Sequence, residues 1–163
     1  MMQTQIRRVT VDDLNALIDI EQNCFLIGQI KRRQLRYLLT RAKAQVWGAF
    51  LDDVFVGYAI YLTPNIPRRA RLYALAVLPA FRRQKIASSL LAHGQFLMAS
   101  LGYPALALEV RCSNRAALTL YQRNGFRWTH LLCEYYPDDE DGWKMVCPLP
   151  VPLWAESFSS TAA

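Results

Sequence analysis

Ile6 to Val9, a short segment with an apolar residue at each end, reads as a first strand. Thr10-x-x-Asp13 then opens a helix as a capping box, with Leu14, Leu17 and Ile18 on one face. A helical period returns from Lys31 to Lys43, with Leu35, Leu38, Leu39 and Ala42 turned inward. Gln45 to Leu51 and Val54 to Thr63 flank Asp52-Asp53 and read as a β-hairpin, followed by a strand over Arg71 to Leu78. A helix from about Lys85 to Leu101 ends at Gly102. Ala105 to Val110 is a short apolar strand, Asn114 is the N-cap of the next helix and Gly125 its C′ residue. Phe126 to Tyr136 and Trp143 to Pro148 complete a pair of strands, and Pro148, Pro150 and Pro152 predict an extended tail in which Trp154 and Phe158 either fold back or stay disordered. The order is that of an α/β domain without repeats or linkers: a single domain over 1–150 and an extended or disordered tail over 151–163.

Two junctions carry candidate chemistry. Glu109, Asn114 and Tyr121 lie at fixed spacing across the strand-to-helix unit, and Tyr121 is seven positions, about two turns, beyond the cap. The three side chains can face one site, but the same spacing suits a solvated rim glutamate, a plain helix cap and a core tyrosine. Upstream, a strand stops at Pro79 and a helix follows within a few residues, with Arg82, Arg83, Gln84 and Lys85 at its start. The unpaired N–H groups and positive dipole end of such a helix, joined by cationic side chains, suit a phosphate or pyrophosphate. A solvated basic turn is the plainer alternative.

At 163 residues, 53% apolar and 12% aromatic, the chain can bury one sizeable core. No apolar run approaches membrane-spanning length, and Met1 to Arg8 lacks an apolar signal region, so a cytoplasmic protein without membrane contact is expected. Cys24, Cys112, Cys133 and Cys147 show neither Cys-x-x-Cys nor zinc spacing and read as reduced packing residues, with no metal site expected. The net charge of +6 gathers at Lys31-Arg32-Arg33, at Arg68-Arg69 with Arg71, and at Arg82-Arg83 with Lys85. The third cluster suits phosphates and the other two can steer acidic partners. With no recognisable DNA-binding organisation, direct nucleic-acid binding is not expected.

Several stretches together resemble the GNAT superfamily of acyl-CoA-dependent N-acetyltransferases, and within it the RimI-type enzymes that acetylate protein N-terminal amines. They are Ile20-Glu21, Cys24-Phe25, Leu75-Ala76-Val77-x-Pro79, Arg82-x-x-Lys85-x-Ala87, Leu108-Glu109-Val110-Arg111, Ser113-Asn114, Leu120-Tyr121, Gly125-Phe126 and Tyr135-Tyr136-Pro137. The resemblance implies a GNAT fold: a mixed, mostly antiparallel sheet of six to seven strands, about four helices, and a splayed parallel strand pair at the acyl-CoA site. It also implies acetyl-CoA as co-substrate, held by Leu75, Ala76, Val77, Arg82, Arg83, Gln84, Lys85, Ile86, Ala87, Ser88 and Asn114. Val77 N–H would polarise the thioester carbonyl, Glu109 would be the general base and Tyr121 the general acid, with direct attack through a tetrahedral intermediate. Glu134, Tyr135 and Tyr136 would clamp a protein or peptide N-terminus, a ribosomal protein among the candidates, in a monomer or weak homodimer. A protein α-amine, with a pKa of ~7.7 to 8.0 against ~10.4 for lysine, needs only a modest base.

One position departs from the superfamily pattern. Lys85 stands where the pattern has its first glycine, and its side chain either crowds the backbone's approach to the pyrophosphate or points outward to pair with a phosphate. Two other readings stay open: a GNAT enzyme acting on a small-molecule amine or a lysine, and a catalytically weak acyl-CoA-binding or protein-interaction module.

Overall fold

The computed structural model describes residues 3–65 and 69–150. Seven strands and four helices follow in the order β1 (Thr4–Arg8), α1 (Leu14–Cys24), α2 (Arg32–Thr40), β2 (Ala44–Leu51), β3 (Val54–Leu62), β4 (Ala70–Val77), α3 (Ile86–Ser100), β5 (Ala105–Arg111), α4 (Arg115–Arg123), β6 (Arg127–Leu132) and β7 (Gly142–Pro148). Single 3-10 turns at Val11–Asp13 and Pro79–Phe81 precede α1 and α3. The strands form one sheet in the order β1-β2-β3-β4-β5-β7-β6. β1/β2, β2/β3, β5/β7 and β6/β7 pair antiparallel, whereas β4/β5 is parallel, its ladder among the described residues being Ala70↔Leu106 and Arg71↔Ala107. This is the mixed, mostly antiparallel sheet that the resemblance implies.

Two compact units make up the chain, Met1–Asn65 with Leu72–Gly94 and Ile66–Arg71 with Gln95–Ala163. In the first, Val9, Leu14, Leu17, Ile20, Leu35, Leu38, Val46, Tyr58 and Ile60 form a buried cluster, the apolar stripes of α1 and α2 against the inner positions of β2 and β3. The predicted capping box is present: Thr10 N–H donates to Asp13, whose carboxylate also takes Arg7 at 3.1 Å, and Asp13 is held below the usual carboxylate range chiefly by Arg7. Asp52 and Asp53 turn the hairpin at φ +48° and +66°, two consecutive left-handed residues as a type I′ turn demands. Glu21 is buried inside this unit. Its carboxylate accepts the Ile30 N–H at 2.9 Å and the Tyr58 hydroxyl, tying the α1–α2 connection to β3. Burial and the adjacent Glu21 both push the Tyr58 phenol far up.

α3 meets the sheet at a notch. A Cβ added to Gly94 would lie 2.0 Å from the Tyr61 ring, and the Tyr61 hydroxyl donates to the Leu90 carbonyl at 2.8 Å, four residues earlier on the same helix.

In the second unit, Asn114 caps α4 by accepting the Ala117 N–H at 3.1 Å. Gly125, at φ +91°, closes the helix: Phe126 N–H reaches the Tyr121 carbonyl at 3.0 Å and Gly125 N–H reaches Gln122 at 3.2 Å, the two bonds of a Schellman motif. One predicted element is shorter than expected. β6 ends at Leu132, so Glu134, Tyr135 and Tyr136 lie in the connection to β7 and not on a strand edge, because the chain reverses at Glu134 with φ +49°. α2 is likewise shorter than Lys31 to Lys43 at both ends. The predicted tail over 151–163 lies outside the described residues.

Candidate active site

The first unit supplies a strand end followed by a basic helix start. At the end of β4, Leu78 N–H bonds the Val56 carbonyl at 2.8 Å, and Gly57 lets β3 approach, since a Cβ there would sit 2.8 Å from the Ala76 carbonyl oxygen. The Val77 carbonyl accepts from Arg82 Nε at 3.0 Å and from Cys24 Sγ at 3.4 Å. Burial pushes the Cys24 thiol up, against the opposing pull of Arg82. Pro79 opens the 3-10 turn, where its missing N–H costs nothing, and Arg82 leaves it in an extended conformation.

The path from Arg82 to Ile86 is built on two left-handed residues, Arg83 at φ +63° and Lys85 at φ +62°. Lys85 therefore keeps the backbone that a glycine would adopt, at a steric cost that glycine avoids. Arg82, Arg83, Gln84 and Lys85 are exposed, and α3 has no acidic residue in its first turn. Its helical bonding begins with Ser89 N–H to the Lys85 carbonyl at 3.0 Å, so the N–H groups of Ile86, Ala87 and Ser88 precede the first helical donor. A pyrophosphate fits this turn: three cations, free N–H groups and no competing carboxylate.

The second unit brings Glu109, Tyr121 and Tyr136 together. Glu109, half-buried on β5, accepts Arg71 Nε at 2.7 Å. The parallel register explains the pair: Arg71 faces Ala107, and Glu109 is the next residue of β5 on the same face. Tyr121 packs edge-on against Phe126 with ring centres 5.7 Å apart, and its phenol is pushed up by burial first and by Tyr136 second. Tyr136 is pushed up to about 12, mainly by burial, with Arg111 opposing and Tyr135, Glu109 and Glu140 adding to the rise. Each phenol thus holds its proton at neutral pH.

The β6–β7 connection is stapled to the end of β5. Arg111 Nη1 reaches Asp138 at 2.9 Å and Glu140 at 2.8 Å, and its guanidinium lies 4.1 Å from the centre of the Tyr136 ring. Glu140 also accepts the Ser113 hydroxyl and the Ser113 N–H at 3.1 Å, and Asp141 accepts the Glu134 N–H at 2.7 Å. Tyr135 and Tyr136 stand edge to face at 5.1 Å. Of the predicted acceptor residues, Tyr136 joins Glu109 and Tyr121, Tyr135 is exposed beside it, and Glu134 points its backbone, not its charge, into the staple. Asn114 spends its side-chain oxygen as a helix cap.

Arg71 and Arg111 are the residues that sequence reasoning missed. Arg71 is read there as part of a surface cluster, and Arg111 only as part of a motif. The signal available for Arg111 was the acidic run Asp138 to Asp141, which needs a cation.

Sheet order, short parallel ladder and helix start are those of an α/β acyltransferase. Residues 14–126 match the acetyltransferase (GNAT) family, and the chain belongs to that family. It is 28% identical over 155 residues to an N-alpha-acetyltransferase of Sulfolobus acidocaldarius, covering 89% of this chain and 92% of that one. It is 32% identical over 151 residues to the catalytic subunit of the N-terminal acetyltransferase A complex of Arabidopsis thaliana, covering 86% and 75%. The crystal structure of the ribosomal-protein-S18-alanine N-acetyltransferase from Escherichia coli superposes with a TM-score of 0.83 at 27% identity, over 92% of this chain and 96% of that one. Among the described residues no helix is long and apolar enough to cross a membrane, and no group of His, Cys, Asp or Glu is placed to hold a metal ion.

Proposed function

We propose that this acetyltransferase moves the acetyl group of acetyl-CoA to the α-amine of a protein or peptide N-terminus. The observation that carries the reading is Tyr136: a residue of the β6–β7 connection stands within electrostatic reach of both Glu109 and Tyr121, so an acceptor held by that connection is delivered to a base and an acid. The names of the relatives point the same way.

Acetyl-CoA supplies the activated acetyl thioester. The turn from Arg82 to Ser88 would hold its pyrophosphate, and the strand end at Leu75 to Val77 would offer backbone groups to its extended arm. Val77 N–H is the donor for the carbonyl oxygen as charge develops on it. Glu109, which accepts Arg71 Nε, takes the proton of the acceptor ammonium, directly or across one water. Tyr121, kept protonated by burial, gives its proton to the departing sulfur. Tyr135 and Tyr136 clamp the first residues of the peptide by stacking and hydroxyl contacts. A ribosomal protein is a fitting acceptor, and the cytoplasm a fitting compartment.

Peptides with a free N-terminus, the same peptides blocked at the α-amine but carrying an internal lysine, and a panel of small amines, each incubated with acetyl-CoA and read by mass spectrometry, test the reading. Acetylation of the free α-amine alone is expected. Preferential modification of the blocked peptide or of a small amine would replace the N-terminal acceptor with a lysine or a metabolite.

A further inference from the structure

All of the chain's formal net charge, +6, resides in one stretch of thirteen residues. Lys31, Arg32, Arg33, Arg36, Arg41 and Lys43 are six of its 19 basic residues, and none of its 13 acidic residues falls among them. The structure places all six on the outside, along and just beyond α2. The apolar side of the helix, Leu35 and Leu38, is buried in the core, so the cations occupy the opposite face. Arg32 and Arg36 are neighbours one turn apart, and Arg33 and Tyr37 form a parallel row beside them, with Tyr37 54% exposed.

Folding does not account for this arrangement. Lys31 is the N-cap residue and makes no side-chain cap, and Arg32 and Arg33 follow it, so three cations crowd the positive end of the helix dipole where carboxylates are favoured. Like charges at Arg32 and Arg36 oppose the helix further. Among the described residues none of the six forms an ion pair with a carboxylate; Arg32 reaches only the neutral Asn15 side chain, at 2.8 Å. A face that breaks the local rules of helix stability in one direction, toward positive charge, is arranged for something outside the chain.

We infer that the outer face of α2 is a docking surface for RNA, with Arg33, Arg36 and Arg41 on backbone phosphates and Tyr37 stacked on an unpaired base. An exposed aromatic ring set among guanidinium groups is what single-stranded and looped RNA requires: phosphate contacts for affinity and a flat surface for a base. An anionic membrane would be served by the charge, but the face carries no apolar side chain to insert beside Tyr37, since the leucines of the helix point into the core. The expectation from sequence that nucleic acid is not bound rested on three charge clusters separated by apolar segments and on the lack of a recognisable DNA-binding organisation. In the structure the first of these clusters is extended along and just beyond α2 by Arg36, Arg41 and Lys43, on the side away from Leu35 and Leu38.

Fluorescence anisotropy of a labelled single-stranded RNA of about 20 nucleotides, titrated with the full chain between about 50 and 200 mM salt, tests the surface. With about five phosphates contacted, log K should fall with log salt with a slope of roughly −3 to −4. The triple variant Arg33→Gln, Arg36→Gln, Arg41→Gln should bind about tenfold more weakly or worse and lose about 2 from that slope. Tyr37→Ala should weaken binding about fivefold or more at every salt concentration. Neither variant should melt below the parent or lose peptide acetylation, so a failure here leaves the acyl-transfer reading untouched. Salt-independent binding by the parent, undiminished binding by the triple variant, or sedimentation with phosphatidylserine vesicles without RNA binding would each overturn the proposal, the last in favour of a membrane.

Discussion

Replacing Lys85 by glycine removes a side chain and still stabilises the protein. Lys85 holds φ +62°, where a residue with a Cβ carries roughly 1–2 kcal/mol of steric cost that glycine lacks. Glycine loses more backbone freedom on folding, about 0.5–1 kcal/mol, so the net gain for Lys85→Gly is about 0.5–1 kcal/mol. For a chain of this length that corresponds to about 1–4 °C in Tm. Lys85→Ala is the control: it removes the same charge but keeps the Cβ and should gain nothing. Thermal and urea unfolding of the three proteins measure the difference. In the same proteins both substitutions should weaken acetyl-CoA binding about two- to fivefold at low salt, as an exposed cation is lost beside the pyrophosphate, and the deficit should vanish at high salt. If Lys85→Gly is no more stable than Lys85→Ala, the left-handed conformation is not what the substitution relieves and the reasoning fails. If glycine alone tightens acetyl-CoA, the side chain crowds the ligand instead of pairing with it.

Tyr121→Phe keeps the ring packed on Phe126 and removes only the proton donor; turnover should drop about 10²-fold with the acetyl-CoA KM unchanged, and a turnover near wild type would remove Tyr121 from the chemistry. Glu109→Gln should reduce kcat/KM more at pH 6 than at pH 9, because the neutral α-amine is scarce below its pKa of ~7.7 to 8.0; an equal loss across pH would contradict the base assignment. Tyr135→Ala and Tyr136→Ala should raise the peptide KM and leave that of acetyl-CoA alone, which steady-state kinetics with each substrate varied in turn will show. Asp138 is held below the usual carboxylate range mainly by Arg111, and Glu140 by Ser113 and then Arg111. Their lowered values mean that the staple is intact above the ordinary carboxylate pKa of about 4 and is lost only as pH falls through the depressed values. Amide exchange over residues 133–141 should therefore stay protected from pH 8 to pH 5 and rise below pH 4, whereas Arg111→Met should expose the same amides at neutral pH; unchanged protection in that variant would refute the staple.

The sequence was most informative where structure is decided within a few residues. Thr10-x-x-Asp13, Asp52-Asp53, Asn114 and Gly125 each specify a cap or turn by their own chemistry, and each does so in the structure. The error at β6 has the opposite origin. Trp128 to Tyr136 is rich in residues that favour strands, but the chain leaves the ladder after Leu132 because Arg111, from another strand, gathers Asp138 and Glu140 beneath the loop. Arg71 was hidden for the same reason: only the parallel register that sets it against Ala107 brings it to Glu109, 38 positions away. Of the candidate site, Glu109 and Tyr121 were legible as residue types at a fixed spacing, and Tyr136 only through the family resemblance. Their partners were not, since ion pairs between distant elements leave no local pattern.

The notch between Gly94 and Tyr61 has a mechanical consequence for the opposite end of α3. A helix lying on a sheet through branched aliphatic contacts alone can be displaced along its axis by a fraction of a turn at little expense. Here the Tyr61 ring occupies the space of the missing Cβ, and its hydroxyl engages the Leu90 carbonyl, so sliding the helix by even one residue would drive a side chain into the ring and break that bond. Tyr61 acts as a dowel pin. It indexes α3 against β3, and with it the elevation of the N–H groups at Ile86, Ala87 and Ser88 above the strand they follow. The tolerance of the anion-receiving turn is thereby set two helical turns away, by a residue that never meets the ligand.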